Sequence, residues 1–231
     1  MMKNFKLILG LVLITITVIS CQKTPVASFT LVNTTVKTGE IVQFTNTSEN
    51  GLRYEWDFGD GESSTITSPT HIYYRPGEYT VTLYAFSKSG KKSHMTSMTI
   101  SVGTFWRGTK TTFTKADGAD WTLAGNQDRL TDNVWITRQN QQGLFNIANE
   151  DSYNGIGPSD TEWALGSFDE IHSLSFSNWV STVQGTPPNS VGINMVLHLI
   201  SEDIYIEIKF TSWASGGQGG QGGFSYERST K

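Results

Sequence analysis

The stretch Leu52-Arg53-Tyr54-Glu55-Trp56-Asp57-Phe58-Gly59-Asp60-Gly61 alternates apolar and polar side chains and then ends in glycines. Successive side chains of a β-strand point to opposite faces, so this alternation predicts a strand with one buried row. Glycine tolerates positive φ and aspartate bonds nearby backbone amides, so Gly59-Asp60-Gly61 predicts a tight reversal after the strand. The residues predicted to point inward are Leu52, Tyr54, Trp56 and Phe58.

Similar short segments continue on both sides of this stretch, between residues 26 and 102. Pro76-Gly77 predicts another turn, because proline presets φ at the first corner and glycine relieves the second. Short alternating strands separated by turn residues are typical of an antiparallel β-sandwich. The further inward rows are Ala27, Phe29 and Leu31; Val42 and Phe44; and Tyr79, Val81, Leu83 and Ala85.

Three ordered motifs in this region resemble a PKD domain: Trp56–Gly61, then Pro69-Thr70-His71-Ile72-Tyr73, then Pro76–Leu83. The resemblance covers about a third of the chain. It implies a seven-stranded, immunoglobulin-like sandwich that acts as a spacer or adhesion module on bacterial surface proteins and secreted hydrolases. We assign residues 26–102 to this domain.

Two acids and one histidine of these motifs raise the question of a metal. Asp57 and Asp60 are interpreted as turn-capping carboxylates and not as calcium ligands, because calcium takes six or more oxygens. His71 lies at a position that the family uses structurally, so we expect a hydrogen-bonding strand residue. The four histidines, His71, His94, His172 and His198, show no metal-ligand spacing.

The N-terminal residues have the pattern of a targeting segment. Lys3 and Lys6 precede an apolar run at residues 7–19, which is too short to span a bilayer core of about 30 Å and is typical of a signal peptide. The residues Val18-Ile19-Ser20-Cys21 resemble a bacterial lipobox, which implies that residues 1–20 are removed and that Cys21 is lipidated. Residues 21–25 then form the tether. Gln22 after the cysteine implies the outer membrane, because the inner-membrane retention pattern has Asp there.

Composition excludes several classes of partner. The 231 residues have a formal charge of −4 and a pI near 5.6, without a block of basic residues, so we expect no nucleic-acid partner. Cys21 is the single cysteine, which excludes an internal disulfide and a cysteine-built zinc site. No cofactor and no metal are predicted, and the expected partners are a membrane, through the N-terminal lipid, and a glycan or an envelope protein.

Residues 103–231 contain six of the seven tryptophans. No Pro/Ser-rich linker precedes them, so the boundary is predicted at Gly103. Short β-prone stretches without a sustained 3.6-residue period predict a second all-β unit, a sandwich or a jelly roll, with a short helix near Phe168 to Ser173. The predicted strands are Trp106–Phe113, Asn133–Gln139, Gly143–Asn149, Thr161–Gly166, Leu174–Trp179, Asn194–Ile200, Ile204–Trp213 and Phe224–Arg228.

Part of this region resembles an uncharacterised domain of secreted and envelope bacterial proteins. Residues 204–213 and 223–230 are similar to the end of that domain, and residues 126–138 are similar to an earlier motif of it. The resemblance implies secretion and β architecture, and it implies no activity. Asn126, Asp128 and Asp132 lie within this motif, and a polar turn or helix cap is favoured there over calcium because the spacing is not that of an EF-hand loop.

Residues 194–213 predict a β-hairpin whose register follows from its apolar rows. A one-residue slip would send one row to the wrong side of the sheet. With a two-residue turn at Glu202-Asp203, Leu199 pairs with Ile206 and His198 lies across from Glu207. The residues expected on the core face are Met195, Leu197 and Leu199 with Ile204, Ile206, Ile208 and Phe210.

The other face of this hairpin is the predicted ligand face, with Trp213 included if the strand stays regular. Aromatic rings stack on sugar C–H faces while charged groups bond hydroxyls, so this face predicts a glycan platform. The alternative is a sheet face covered by a loop or by the second layer of the sandwich. The predicted ligand face consists of His198, Tyr205, Glu207, Lys209 and Trp213.

The sequence lacks the common enzyme motifs that would support a catalytic role. No Gly-x-Ser-x-Gly, His-Glu-x-x-His or phosphate loop is present. The sequence therefore favours a non-catalytic envelope lipoprotein in which a PKD spacer presents a glycan- or protein-binding β-domain. Two alternatives stay open: a purely structural surface protein, and a glycan-cleaving enzyme that uses a carboxylate pair drawn from Glu150, Glu162, Glu170 and Glu207.

Overall fold

The computed structural model describes residues 23–215 and 221–231. Within these residues the protein consists of β-strands, three short 3₁₀ helices and one single-turn α-helix. Cys21 and the predicted signal peptide lie outside the described residues. No helix in the described part is long and apolar enough to cross a membrane.

The N-terminal part of the chain, up to Val102, is an immunoglobulin-like sandwich. Within the described residues, one sheet has the strand order β2-β9-β8-β5-β6, and two further pairs, β3-β7 and β1-β4, complete the sandwich. The strands are β1 (Phe29–Thr30), β2 (Thr35–Val36), β3 (Ile41–Gln43), β4 (Thr45–Asn46), β5 (Arg53–Asp57), β6 (Ser63–Ser64), β7 (Thr70–Ile72), β8 (Gly77–Phe86) and β9 (Ser93–Val102).

The core of this sandwich is built around Trp56. Phe29 meets its ring edge-on at 5.1 Å, and Phe44 lies 5.5 Å away. The inward row of β8 is buried as predicted. The prediction for Leu52 is wrong, because β5 begins only at Arg53 and the Leu52 side chain is 70% exposed.

The two turn carboxylates act as predicted. Asp57 Oδ1 accepts from the backbone N–H of Gly59 at 2.9 Å, and Asp60 Oδ1 accepts from that of Glu62 at 3.0 Å. The other oxygen of Asp60 lies 2.7 Å from Nε2 of His71 in β7. Across the described residues, no group of three or more His, Cys, Asp or Glu side chains is arranged to hold a metal ion.

The second half is also a β-sandwich. The larger sheet has the order β11-β18-β17-β16-β15 with β10 paired to β17, and β12-β13-β14 form a smaller sheet. The 3₁₀ helices are Ala124–Asn126, Phe168–Ser173 and Pro187–Ser190, and α1 is Trp179–Thr182. The strands are β10 (Thr104–Trp106), β11 (Thr111–Lys115), β12 (Asp128–Arg129), β13 (Trp135–Arg138), β14 (Leu144–Asn146), β15 (Thr161–Leu165), β16 (Asn194–Leu199), β17 (Ile204–Trp213) and β18 (Phe224–Arg228).

The chain passes directly from one sandwich into the other. Gly103, at φ +82°, is the one residue between β9 and β10, and a Cβ there would lie 2.6 Å from the Tyr205 ring. β10 then runs parallel to the start of β17, with Thr104 beside Ile204. Close packing at residue 103 therefore requires glycine.

Asp128 stabilises the second core and does not belong to a calcium loop. Its carboxylate accepts from Arg228 Nε at 2.6 Å and from the Tyr226 hydroxyl at 2.7 Å. Burial raises the pKa of Tyr226, and the neighbouring Asp128 charge raises it further. The prediction of a polar turn or helix cap is wrong for Asp128, because this residue lies in strand β12 and its carboxylate is buried against Tyr226 and Arg228.

The β16–β17 hairpin keeps the predicted faces but not the predicted partners. All residues expected on its core face pack in one cluster. The turn, however, has four residues, 200–203, so Leu199 pairs with Ile204 and His198 pairs with Tyr205. Asp203 leaves the ladder because it adopts φ +54°, a left-handed conformation that aspartate tolerates.

Candidate ligand-binding site

The predicted ligand face is mostly covered. His198 is 8% exposed and Tyr205 is 3% exposed, because the segment that begins with the 3₁₀ helix Phe168–Ser173 packs over them. The two rings stack in parallel at 4.1 Å, and the Phe176 ring meets both at 5.8 Å. These aromatic side chains therefore form a small core and do not offer a platform for sugars.

His198 is held between two carboxylates, neither of which is the expected Glu207. Its Nδ1 lies 2.8 Å from Glu162 Oε1 and its Nε2 lies 2.9 Å from Asp203 Oδ1. Only the imidazolium form donates from both ring nitrogens. Burial raises the pKa of the stacked Tyr205, and the charge of Asp203 raises it further. This cluster is a structural ion network at the base of the hairpin turn.

Glu207 and Lys209 lie on the same face of the sheet as His198, but their contacts are structural. Glu207 Oε1 accepts from the backbone N–H of Phe168 at 3.1 Å, which fixes the start of the covering segment. Its other oxygen lies 3.7 Å from Lys110 Nζ. Lys209 pairs in the ladder between β16 and β18.

Trp213 lies on the opposite side of the sheet from these four residues. The register of β17 against β18 shifts between Phe210 and Ser212, a β-bulge that reverses which way the later side chains point. Trp213 consequently packs beside Phe210 and Trp179, with each pair of ring centroids 5.9 Å apart. The expectation that all five residues share one face is wrong for Trp213.

Trp213 lines a surface cleft, which we call the Trp213 cleft. Its volume is about 330 Å³. It lies between the end of β13, the start of β14 and the turns that follow α1, and it borders the residue where the described chain stops at position 215. The lining residues used below are Arg138, Gln141, Gln142, Gly143, Tyr153 and Trp213.

Arg138 joins the two sheets at the base of the cleft. Its Nη1 donates to Ala214 O at 2.8 Å and to Gly223 O at 3.1 Å, and its Nε donates to Gln142 O at 2.6 Å. The guanidinium carbon lies 4.0 Å from the centre of the Trp213 ring, within the range of a cation–π contact. Burial lowers the pKa of Arg138 to about 10, so the group stays charged at neutral pH.

Tyr153 forms another part of the wall. Its ring lies against Gly143, where a Cβ would come within 2.4 Å of the ring carbons. Burial raises the pKa of the Tyr153 hydroxyl, so it stays protonated and able to donate a hydrogen bond at neutral pH. The cleft thus combines two aromatic side chains, a charged guanidinium and two exposed amides.

A second cavity, of about 440 Å³, lies where the two sandwiches meet. Arg75 of the first sandwich lines it together with Glu162 and His198 of the second. Arg75 Nη1 donates to His172 O at 2.5 Å, and the two other charged groups are paired with each other. Because its polar groups already bond across the junction, we read this cavity as part of the contact between the sandwiches.

Sequence reasoning identified Trp213 but missed Arg138 and Tyr153 as its partners. Arg138 lies one position before the end of the predicted strand Asn133–Gln139, and its acceptors at Ala214 and Gly223 are 76 and 85 positions away. One signal was present in the sequence: a charged residue that follows apolar side chains in a predicted strand needs polar partners if it is buried.

The N-terminal third of the chain matches a known family. Residues 22–102 match the family model described as a PKD domain. The chain therefore contains a PKD domain, and the resemblance carried by the motifs from Trp56 to Leu83 is confirmed for this part. The fold as a whole is all-β, with an immunoglobulin-like PKD sandwich followed by a second β-sandwich.

Several known proteins and structures are similar to parts of this chain. A 48-residue segment is 50% identical to Collagenase ColA of Bacillus cereus, which is 20% of this chain and 5% of that protein. The PKD1 domain of the Vibrio cholerae metalloprotease PrtV is 38% identical, with 35% of this chain and 98% of that domain covered and a TM-score of 0.30. A carbohydrate-binding module of the β-sandwich superfamily overlaps 90% of this chain and 92% of its own at 17% identity and a TM-score of 0.35.

Proposed function

We propose that this protein is a non-catalytic, lipid-anchored protein of the bacterial cell envelope whose second sandwich binds a glycan in the Trp213 cleft. A lipid on Cys21 holds the chain at the outer membrane, residues 26–102 act as the spacer, and residues 103–231 present the cleft. The membrane is thus a partner through the lipid alone.

The composition of the cleft carries this proposal. Sugar rings present C–H faces that pack on aromatic side chains, and their hydroxyls bond amides and guanidinium groups. Trp213 and Tyr153 supply the aromatic surfaces, while Gln141, Gln142 and Arg138 supply polar groups around them. Of the five residues predicted for the ligand face, Trp213 is the one that lines this cleft.

The size of the cleft favours a glycan over an envelope protein as the ligand. Its volume of about 330 Å³ falls within the usual range of about 300–1,000 Å³ for small-ligand sites. A stable protein interface buries about 800 Å² on each partner and is usually far flatter. One or two sugar units fit a cleft of this size.

The contacts between the sandwiches support a spacer that holds the cleft in a fixed direction. The backbone N–H of Thr38 donates to Asp203 Oδ2 at 2.8 Å, and Lys37 Nζ donates to Ser201 O at 3.1 Å. On the other side of the junction, Arg75 donates to His172 O. Binding energy gained in the cleft is then not offset by ordering a loose linker.

Glycan binding is tested by electrophoresis of the full-length protein, purified in detergent, through gels that contain soluble polysaccharides. We expect at least one polysaccharide to retard the protein. Trp213→Ala should weaken that retardation about fivefold, the equivalent of about 1 kcal/mol of ring stacking.

Trp135→Ala is the matched control. Trp135 also carries a stacked arginine, Arg129, at 4.0 Å, but it lies outside the cleft. Melting temperatures of both variants separate lost binding from lost folding. The proposal is abandoned if no polysaccharide retards the protein, or if the two variants weaken retardation equally while both stay folded.

The anchor is tested separately in cells. Cys21→Ser should abolish incorporation of radioactive palmitate and release the protein from the membrane fraction, because one cysteine is present in the whole chain. Palmitate incorporation by the variant would contradict the anchor without bearing on the cleft.

A further inference from the structure

We propose that the Trp213 cleft selects glycans that carry a carboxylate, such as uronic-acid polysaccharides, and that Arg138 is the residue that binds this group. The inference rests on the proposed glycan-binding function and adds the class of sugar. It comes from the guanidinium of Arg138, which lines the cleft and forms no ion pair among the described residues.

Two buried cations lie at this place, and two acids are near them. Arg138 is 3% exposed, and Lys115, which is 1% exposed, donates from Nζ to Gly222 O at 3.3 Å. Asp117 and Asp120 are the nearby acids. Asp117 Oδ1 already accepts from the backbone N–H groups of Gln221 at 2.6 Å and Gly223 at 3.0 Å, and Asp120 Oδ1 accepts from the backbone N–H and the hydroxyl of Thr122 at 2.9 and 2.7 Å. Within residues 23–215 and 221–231, neither cation forms an ion pair with a carboxylate.

The pKa shifts show that the nearby acids do not offset the burial of these cations. Burial lowers the pKa of Lys115 and the charge of Arg138 lowers it further, while the charges of Asp117 and Asp120 raise it by less. Burial also lowers the pKa of Arg138. A cation in this situation is stabilised by any anion brought close to it, so an incoming carboxylate gains energy that a neutral hydroxyl does not.

The guanidinium keeps donors available on the side of the cleft. Nη1 uses its two N–H bonds on Ala214 O and Gly223 O, and Nε is bonded to Gln142 O. Among the described residues Nη2 has no hydrogen-bond acceptor, and its two N–H groups are the donors assigned to the ligand carboxylate. The Trp213 ring and the carbonyls fix the plane of the group, and a fixed, planar guanidinium is well suited to a carboxylate.

The wall of the cleft does not oppose an anion. Arg138 is the one charged residue among the described lining residues of the cleft, which include no aspartate or glutamate. The chain as a whole has a formal charge of −4, so the positive charge at the wall of the cleft is opposite in sign to the charge of the whole protein. A carboxylated sugar therefore meets an attractive site on an acidic protein.

The inference is tested with ligands that differ in charge alone, so that the main comparison needs no variant. The full-length protein, purified in detergent, is titrated with polygalacturonate and alginate oligosaccharides and with the same oligosaccharides after esterification of their carboxylates. We expect at least one acid form to bind tenfold or more tightly than its ester, with the preference reduced at high salt.

Arg138→Gln should remove most of that preference. Arg129→Gln should keep it, because Arg129 makes the same 4.0 Å stack on Trp135 away from the cleft. Acid and ester forms that bind equally well, or tighter binding of a neutral glycan, would overturn the inference and leave glycan binding standing. Failure of every charged and neutral glycan to bind would overturn both.

Discussion

The backbone N–H of Thr38 donates to Asp203 Oδ2 at 2.8 Å, and this bond joins the PKD domain to the hairpin turn of the second sandwich. The other oxygen of Asp203 lies 2.9 Å from His198, whose second nitrogen lies 2.8 Å from Glu162. The Asp203 carboxylate therefore bonds to residues of both domains. The left-handed conformation of Asp203 turns its side chain out of the ladder and toward both partners.

Replacement of this carboxylate should destabilise the protein. Asp203→Asn removes the charge that faces His198 in a site where Asp203 is 6% exposed, so we expect a loss of about 1.5–3 kcal/mol in the free energy of unfolding. Urea denaturation measures the change. Asp169→Asn, at an exposed position, is the control and should stay within about 0.5 kcal/mol of the original protein. Equal stability of all three proteins would show that the network contributes nothing.

The contribution of Asp203 should depend on pH. Burial alone would raise its pKa, but the hydrogen bonds from His198 and Thr38 outweigh burial, and the net pKa lies below the ordinary value. A carboxylate with a lowered folded-state pKa stabilises the fold above its unfolded pKa of about 4 and loses that effect as pH falls through the folded value. The stability difference between the original protein and Asp203→Asn should therefore be full at pH 7 and shrink below about pH 4. A difference that stays constant down to pH 2 would contradict this assignment.

A methyl group at Gly77 should loosen the contact between the sandwiches. Gly77 has φ +147°, and a Cβ there would lie 2.0 Å from the His172 ring. Gly77→Ala should displace the 3₁₀ helix Phe168–Ser173 and lower the melting temperature. Gly90→Ala is the control, because Gly90 also has positive φ, +71°, but faces open space. NMR shifts at His172 and Tyr205 should move in the first variant alone, and similar spectra for both variants would contradict the close packing.

A substitution in the wall of the cleft tests whether Tyr153 belongs to the binding site. Gly143→Ala places a Cβ 2.4 Å from the Tyr153 ring at a residue without positive φ, so the ring must move. We expect several-fold weaker glycan binding and a melting temperature that changes by a few degrees at most. Gly125→Ala, which has nothing within 4 Å of its Cβ, should bind as the original protein does. Unchanged affinity of Gly143→Ala would remove Tyr153 from the site.

Much of the architecture was predictable because it depends on local patterns. Every second residue from Tyr79 to Ala85 is apolar, which predicts a row that points inward. The structure confirms that this row is buried. The 3₁₀ helix Phe168–Ser173 lies at the predicted place. The pairing of His198 was not predictable, since two- and four-residue turns give the hairpin the same core face and differ only in partners.

By itself the sequence determined the PKD motifs, the all-β class and the side of each hairpin residue before the bulge, because apolar periodicity and turn chemistry act over a few neighbouring residues. The tertiary structure alone decided that Trp213 turns to the opposite side, through an irregularity in the β17–β18 register. It also decided that Arg138 reaches Ala214 and Gly223, which lie far along the chain on another sheet. Such contacts arise when two sheets pack, and they depend on long-range geometry that no local pattern encodes.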